Sequence, residues 1–192
     1  MSAPVEQLGI VVAVDGSPAS TAAAGWAARE AAMRNIPLTV AHAVCTPTAT
    51  FPQVPYPESL VTSLEDEGKK AIMHAIKIAE EAMPADHAVP IGRKMVYAAP
   101  AAALLKMSEA AEMIVMGSNG RGVLARGLLG SVSSTVVRHA NCPVAVVRDA
   151  ELPDPHTAPV LLGTDGSPED LISMCPGCSC APGEVRKQWP VT

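Results

Sequence analysis

The chain has 192 residues, of which 48% are hydrophobic and 17% charged, and its net charge is −5. This length accommodates one to two domains, and the acidic balance argues against a nucleic-acid-binding surface. No apolar run is long enough to cross a membrane, and no basic flank precedes an apolar core at the N-terminus. We therefore expect a cytoplasmic globular protein with no membrane span and no signal peptide.

The N-terminal residues predict a strand followed by a helix. Residues 10–14 form a short, continuous apolar run, which is typical of a parallel strand covered on both faces. Ser17-Pro18 predicts an N-cap with proline at the first helical position, and an alanine-rich helix then runs to Arg34 and ends at Asn35. We expect this helix to bury Ala19, Ala22, Ala23, Trp26 and Met33.

The pattern then alternates between strand and helix. A second strand is predicted at 38–44 and, after a proline-rich loop, a long helix at 58–83 and a weaker third strand at 89–96. The apolar residues along one face of the long helix are Leu60, Leu64, Ala71, Ala75, Ala79 and Ala82.

The second half of the chain continues the alternation. Residues 101–111 predict a helix, 113–116 a fourth strand, 132–139 a last helix and 144–147 a fifth strand. Regular βαβ alternation implies right-handed crossovers and a parallel sheet with helices on both faces. The expected fold is therefore α/β and Rossmann-like.

A glycine-spaced segment follows the fourth strand. Residues 117–131 read GSNGRGVLARGLLGS, which is G-x2-G-x9-G followed by Ser. A strand ending in glycine, a loop and a Ser-capped helix start can bind phosphate, because the backbone approaches the anion and the first N–H groups of the helix point at it. A mobile glycine loop is the alternative. Asp15 ends strand one and Gly117 ends strand four, so both should meet where such sheets bind ligands.

Two other phosphate-binding motifs do not fit. A P-loop needs Lys after its second glycine, and no Lys follows any of these glycines. A dinucleotide fingerprint would follow strand one and would place an acidic residue at the end of strand two. Here strand two runs into Cys45-Thr46-Pro47, and the glycines follow strand four.

A short repeat predicts the domain organisation. Residues 10–20 read IVVAVDGSPAS and residues 160–170 read VLLGTDGSPED. We predict one domain over 1–149, a linker over 150–159, and the incomplete start of a second repeat with an irregular Cys-, Pro- and Gly-rich tail over 160–192.

The cysteines fall into two groups. Cys45 and Cys142 lie beside apolar strands and are expected to be buried, reduced thiols. Cys175, Cys178 and Cys180 form a cluster that fits half a zinc site, a redox pair or an unstructured tail. We favour the tail, because a structural zinc site wants four ligands and no His or second C-x2-C follows.

Together these features resemble the universal stress protein family. The matching segments are the first strand with Asp15-Gly16-Ser17-Pro18, residues 41–44 (AHAV), the glycine motif from Met116 to Ser133, and residues 142–147 (CPVAVV). The resemblance covers residues 8–148, and the glycine motif marks the ATP-binding branch of the family. The repeated Asp-Gly-Ser-Pro is similar to tandem two-domain members, here with the second domain cut short.

The resemblance implies a sheet in the order 3-2-1-4-5, with ATP at the junction of strands one and four. Asp15 would contact the ribose or a phosphate-bound Mg²⁺, and the backbone around Ala43 would border adenine. Arg121 or Arg126 would screen phosphate charge. The glycine motif would hold the phosphates, with site residues Met116, Gly117, Gly120, Gly130, Ser131, Val132 and Ser133. We expect Gly117→Val to abolish binding, because backbone must approach phosphate there.

Some of these residues also fit roles without a ligand. Asp15 fits a turn cap and Ser131 a helix N-cap, while Arg121 and Arg126 fit solvent-facing loop charges. We expect the two histidines that adjoin the motifs, His42 and His139, to be structural rather than catalytic.

The function implied is an ATP-binding regulatory or stress-response module that is not an enzyme, although weak ATPase activity is compatible with it. A slow ATPase or nucleotidyl-transferring enzyme is one alternative, and an interaction surface without nucleotide is another. Phosphoryl transfer wants a base, a metal clamp and cations, for which only Asp15 and the loop arginines are available. The family also implies a homodimer through the fifth strand.

Overall fold

A computed structural model describes residues 7–45, 57–118, 120 and 130–148, all of which lie within one compact unit, Met1–Leu152. Several predictions fall outside these residues and remain predictions. They are the loop charges Arg121 and Arg126, the linker at 150–159, the second repeat at 160–192, and the cysteine cluster Cys175, Cys178 and Cys180.

The described residues form alternating strands and helices, as the sequence pattern predicts. The strands are β1 (Gly9–Ala13), β2 (Leu38–Ala43), β3 (Ile91–Val96), β4 (Ala111–Gly117) and β5 (Val144–Val147). The α-helices are α1 (Pro18–Arg34), α2 (Glu58–Ala82), α3 (Pro100–Met107) and α4 (Ser131–His139), and a 3-10 turn lies at Ala85–His87. Within the described part of the chain, no helix is both long and apolar enough to span a membrane.

All strands of the sheet run parallel, in the order β3-β2-β1-β4-β5. The central strand is β1, whose Val12 pairs with Val40 of β2 on one side and with Val115 of β4 on the other. The predicted α/β fold and strand order are confirmed. Strand order reverses between β1 and β4, and the carboxyl edge at such a reversal is where open α/β sheets commonly bind ligands.

Two pairs of helices cover the sheet. Helices α1 and α2 pack together and form the long-helix face, whereas α3 and α4 form the short-helix face. Alternation along β1 separates the two cores: Ile10 and Val12 belong to the long-helix core, and Val11 belongs to the short-helix core.

The predicted start and end of α1 are confirmed. Ser17 is the N-cap, and its hydroxyl accepts a hydrogen bond from the Ser20 N–H at 3.2 Å. Pro18 is the first helical residue, where its missing N–H costs nothing. Asn35 ends the helix in the left-handed conformation, with φ 52°.

The predicted buried face of α1 is wrong at Met33 and right at Ala23, while Ala22 and Trp26 are partly buried against the core. Met33 is 76% exposed, and among the five residues expected in the core only Ala23 is fully buried. The packing explains the shift, because α1 lies close to α2 and the sheet, where small side chains fit best. Leu60 at the start of α2 is also exposed. The buried residues of α1 are Ser20, Ala23, Ala24, Gly25, Ala27, Ala28, Ala31 and Ala32.

Two further expectations are corrected. The helix predicted to reach Ala111 ends at Met107, because Ala111 pairs with Gly9 and so begins β4. Cys45 is exposed rather than buried, since β2 ends two residues before it. Cys142 is half-buried, and burial raises the pKa of its thiol.

Candidate functional site

A cavity of about 340 Å³ opens at the carboxyl ends of β1, β2 and β4, on the short-helix face. It lies at the switch point of strand order, where α/β sheets bind ligands. Nine of the ten site residues predicted from sequence line it, and the tenth, Arg121, lies outside the described residues. The nine are Asp15, Ala43, Met116, Gly117, Gly120, Gly130, Ser131, Val132 and Ser133.

Small residues at the strand ends leave room for this cavity. Ala13, Ala41 and Ala43 lie at the carboxyl ends of β1 and β2 and line the cavity, where each contributes only a methyl group. The opposite, long-helix core is filled next to these positions by Val12 and Val40. The sequence carries this signal as Ala13 at the end of β1 and as alanines at alternate positions, Ala41 and Ala43, at the end of β2.

Helix α3 supplies an apolar wall that the motifs do not reveal. Ala103, Leu104 and Met107 line the cavity and are buried in the short-helix core, and Pro100 lines it at the first turn. Apolar walls with a few polar groups are typical of small-molecule sites. The sequence signal for this wall is the apolar run of α3, which lies outside the phosphate motifs.

The turn between β1 and α1 holds Asp15 in place. Its carboxylate Oδ1 accepts a hydrogen bond from the Ser17 N–H at 2.9 Å, and its own N–H points to the Ser20 hydroxyl at 3.4 Å. Gly16 between them has φ +82°, a conformation that favours glycine. Asp15 therefore caps the turn and lines the cavity at once, so the two roles proposed for it are compatible.

Hydrogen bonds hold the two ends of the connection between β4 and α4 together. The Gly130 N–H donates to the Ser118 carbonyl at 2.9 Å, and the Ser118 N–H donates to the Val147 carbonyl of β5 at 2.8 Å. Ser133 is buried, and its hydroxyl donates to the Gly117 carbonyl at 3.1 Å. The Ser133 hydroxyl therefore joins α4 to the end of β4.

Helix α4 begins one residue earlier than expected. Gly130 is its N-cap and Ser131 its first residue, so Ser131 is not the N-cap that the sequence suggested. The first intrahelical bond runs from the Ser134 N–H to the Gly130 carbonyl. The preceding N–H groups of the first turn lie outside the helix's own hydrogen bonding, and Ser131, Val132 and Ser133 line the cavity.

The two motif glycines beside β4 have different neighbours. A Cβ at Gly117 would lie 2.8 Å from the Ala19 carbonyl carbon and 2.9 Å from the Ser20 nitrogen, so the missing side chain makes room for α1. A Cβ at Gly120 would lie 2.9 Å from Oδ2 of Asp15. Packing against α1 is thus a reason for glycine at position 117 that the sequence did not show, and the close approach of phosphate to its backbone stays a prediction.

His42 lines the cavity and also makes the kind of structural contact expected of it. Its Nδ1 lies 2.7 Å from the Val14 carbonyl oxygen, which is a hydrogen-bond contact. His139, in contrast, is exposed at the last residue of α4 and does not line the cavity.

The described wall of the cavity carries one carboxylate, Asp15, and no Lys or Arg. Among the residues that the structure describes, no three potential His, Cys, Asp or Glu ligands come together. A protein-held metal cage is thus not formed there. Mg²⁺ commonly binds through one carboxylate together with substrate phosphates, and Asp15 fits that arrangement.

The family is shown by sequence comparison. A model of the universal stress protein family matches residues 9–148. The universal stress protein Rv2005c of Mycobacterium tuberculosis is 54% identical over 170 residues, which are 88% of this chain and 58% of that protein. Universal stress protein Rv2623 of the same organism is 42% identical over 169 residues, or 87% and 57% of the two chains. The chain thus spans little more than half the length of these relatives.

Solved structures share the fold. A universal stress protein in complex with cAMP is 28% identical, with a TM-score of 0.51, and the match covers 74% of this chain and 97% of that one. A universal stress protein from Archaeoglobus fulgidus is 23% identical, with a TM-score of 0.57, and the match covers 73% and 98%. The family model, the close relatives and the strand order agree, and the chain belongs to the universal stress protein family.

Proposed function

We propose that this chain is a regulatory module that binds ATP with Mg²⁺ in the cavity at the carboxyl ends of β1, β2 and β4. One observation carries the proposal. A single cavity at the switch point of strand order is lined by residues of the β1–α1 turn, the end of β2 and the β4–α4 connection. The complex of the related protein with cAMP supports an adenine nucleotide as the ligand.

The wall suggests how the nucleotide would lie. The base would contact the apolar end formed by Ala43, Leu104 and Met107, and the phosphates would lie at the first turn of α4, near Ser131. Asp15 would then face the ribose or a Mg²⁺ ion carried by the phosphates. The ion would contribute charge neutralisation of the phosphates.

A regulatory role suits this wall better than fast catalysis. Phosphoryl transfer needs a positioned base and cations that stabilise the transferring group. The described wall offers one carboxylate, whose Oδ1 already accepts the Ser17 N–H, and one imidazole, His42, whose Nδ1 already contacts the Val14 carbonyl. We therefore expect turnover far below the typical enzyme rate of about 10 per second, with ATP remaining mostly intact over minutes at stoichiometric protein. Multiple rapid turnovers per site would favour the enzyme alternative.

Cyclic AMP is a second candidate ligand. It carries one phosphate charge, and the described wall presents no Lys or Arg to neutralise a triphosphate. The related protein of 28% identity was solved with cAMP. Competition between ATP with Mg²⁺ and cAMP, measured by calorimetry on the full chain, distinguishes the two.

Calorimetry also tests the whole proposal. ATP with Mg²⁺ should release heat at a stoichiometry of one per chain, and GTP should bind more weakly, because the described side chains around the base are apolar and cannot pair with the polar groups of guanine. Native mass spectrometry of the purified chain should show bound nucleotide. A folded protein that binds neither ATP nor cAMP would contradict the proposal.

We also propose a homodimer through β5. This strand pairs with β4 at one edge of the sheet, and Val144 and Val146 are only half-buried. Val137 of α4 is 48% exposed. Unpaired strand edges invite pairing, so Val146→Lys should shift the mass observed by native mass spectrometry from dimer to monomer. A wild-type monomer at micromolar concentration would refute the dimer.

A further inference from the structure

His42 occupies an unusual position between the strands and α2. It is half-buried at the end of β2, it lines the cavity together with Val14, and its Nδ1 lies 2.7 Å from the carbonyl oxygen of Val14. A carbonyl only accepts hydrogen bonds, so Nδ1 carries the proton. The Val14 N–H donates to the Ala41 carbonyl at 2.9 Å. Strand β2 and its histidine therefore hold both polar backbone groups of Val14, the residue immediately before Asp15.

The other edge of the His42 ring lies against α2. A Cβ at Gly68 would lie 2.6 Å from Cδ2 and 3.0 Å from Nε2 of His42, and 3.2 Å from the terminal carbon of Met95. Gly68 is buried in the middle of α2, where glycine is less favourable than alanine by helix propensity. The helix thus has glycine, a residue of low helix propensity, at the position that contacts the His42 ring.

We propose that His42 is a positioning residue for the nucleotide site. Its ring rests on Gly68, and its Nδ1–H fixes the Val14 carbonyl and with it the planar Val14–Asp15 peptide. That peptide sets the backbone from which Asp15 reaches the cavity. The inference rests on the proposed nucleotide site, and it assigns α2, which contributes no described residue to the cavity wall, a part in holding that site.

Two substitutions at position 42 test the hydrogen-bond donor, and because His42 lines the cavity, a change at Gly68, outside it, then separates positioning from direct contact with the ligand. His42→Asn keeps an N–H donor near the position of Nδ1, whereas His42→Leu keeps bulk and loses the donor. We expect the Kd for ATP with Mg²⁺, measured on the full chain, to rise about tenfold in His42→Leu and to stay within about threefold of wild type in His42→Asn. Equal affinity in both variants and the wild type would overturn the inference.

A substitution outside the cavity tests the contact with α2. Gly68→Ala should push the His42 ring away, since the added Cβ has no room, and should raise the Kd about fivefold to tenfold. Gly25→Ala is the matched control, because it is also a buried glycine of a helix, and its Cβ would meet the nearest atom, Cγ2 of Ile78, at an ordinary 3.5 Å. The control should bind as the wild type does.

A spectroscopic measurement covers the case in which a variant fails to fold. Long-range proton–nitrogen correlation spectra of the wild-type chain report which ring nitrogen carries the proton, and the signal missing in His42→Asn assigns His42 among the five histidines. We expect the proton on Nδ1. A neutral ring protonated only at Nε2 would overturn the inference.

The outcomes separate the two proposals. If the wild type binds neither ATP nor cAMP, the proposed function and the positioning role fail together. If the wild type binds, and His42→Leu and Gly68→Ala bind equally well, only the positioning role fails. Loss of affinity in both variants, with His42→Asn and Gly25→Ala near wild type, supports both proposals.

Discussion

The two faces of the sheet are built from the same strands but serve different ends. On the long-helix face, the core is filled by Ile10, Val12 and Val40, and α1 and α2 run for 17 and 25 residues. On the short-helix face, α3 and α4 have 8 and 9 residues, and a cavity of about 340 Å³ remains. The filled face supplies stability, and the unfilled face supplies space for a ligand.

The difference arises from where the small residues lie. On the long-helix face alanines are on the helix, as at Ala27 and Ala28, which are fully buried, so α1 can approach the sheet closely. On the short-helix face alanines are on the strand ends, as at Ala41 and Ala43, opposite a short helix. Alanine thus allows close packing of α1 on the long-helix face and leaves space at the strand ends on the short-helix face.

The largest effect is expected from Gly117→Ala. Its Cβ would clash with the backbone of Ala19 and Ser20, so we expect the free energy of unfolding to fall by about 3 kcal/mol or more. Chemical denaturation measures this loss of stability.

Gly120→Ala is the control on the cavity side, where the added carbon meets the Asp15 carboxylate. It should lower nucleotide affinity and leave stability within about 0.5 kcal/mol of wild type. Equal stability of the two variants would refute the assignment of Gly117 to packing.

A pair of alanine-to-leucine changes tests the two faces directly. Ala28→Leu overfills the long-helix core, where Ala28 is fully buried, and should destabilise the fold by about 1–3 kcal/mol without a specific loss of binding. Ala103→Leu extends into the cavity, so it should change stability by less than about 1 kcal/mol and raise the Kd for ATP at least tenfold. Denaturation and calorimetry on both variants give the comparison. If Ala103→Leu destabilises as strongly as Ala28→Leu, the cavity is not open to a side chain.

Substitution of the two serines at the start of α4 should likewise affect ligand binding in one case and stability in the other. Ser131 is exposed and lines the cavity, so Ser131→Ala should weaken ATP binding by about 1–2 kcal/mol and leave stability unchanged. Ser133→Ala removes the bond to the Gly117 carbonyl and should lower the free energy of unfolding by about 1 kcal/mol. The opposite assignment of effects would place the phosphate beside Ser133.

The smallest effect concerns two thiols. Burial raises the pKa of Cys142, so less of it is thiolate near pH 8, and its alkylation should be slower than that of the exposed Cys45. The rate of alkylation at Cys142 should increase as pH rises, because the pKa of its thiol is raised above the ordinary value and more thiolate forms at higher pH. Peptide mapping by mass spectrometry after timed alkylation measures each site. Faster reaction at Cys142 would show that this edge of the short-helix face opens in solution.

Local signals in the sequence predicted the fold well. The apolar run of β1, the Ser17-Pro18 helix start and the Asn35 helix end each act within a few residues, so the sequence pattern contains their cause. Tertiary contacts account for the failures. Ala111 has high helix propensity, yet it lies in β4 because it pairs with Gly9, a residue about one hundred positions away.

The candidate site was predicted in part for the same reason. The glycine motif and Asp15 identified the segments that meet at the cavity, since strand ends and turns carry local signals. The sequence did not show that the Ser133 hydroxyl donates to the Gly117 carbonyl, nor that Leu104 and Met107 form the apolar wall. Both depend on how α3 and α4 dock on the sheet.

The central position of β1 has a consequence for how the chain folds. Val12 pairs with Val40, about thirty residues away, and with Val115, about one hundred residues away. Distant pairings close large loops and form slowly, so the β1–β4 junction, where Asp15 and Gly117 meet, is expected to assemble late. A nucleotide that binds only the completed junction would not guide early folding but would slow unfolding, adding about 2.7 kcal/mol at one hundred times its Kd. The cell's nucleotide level would then set the lifetime of the folded chain as well as its occupancy.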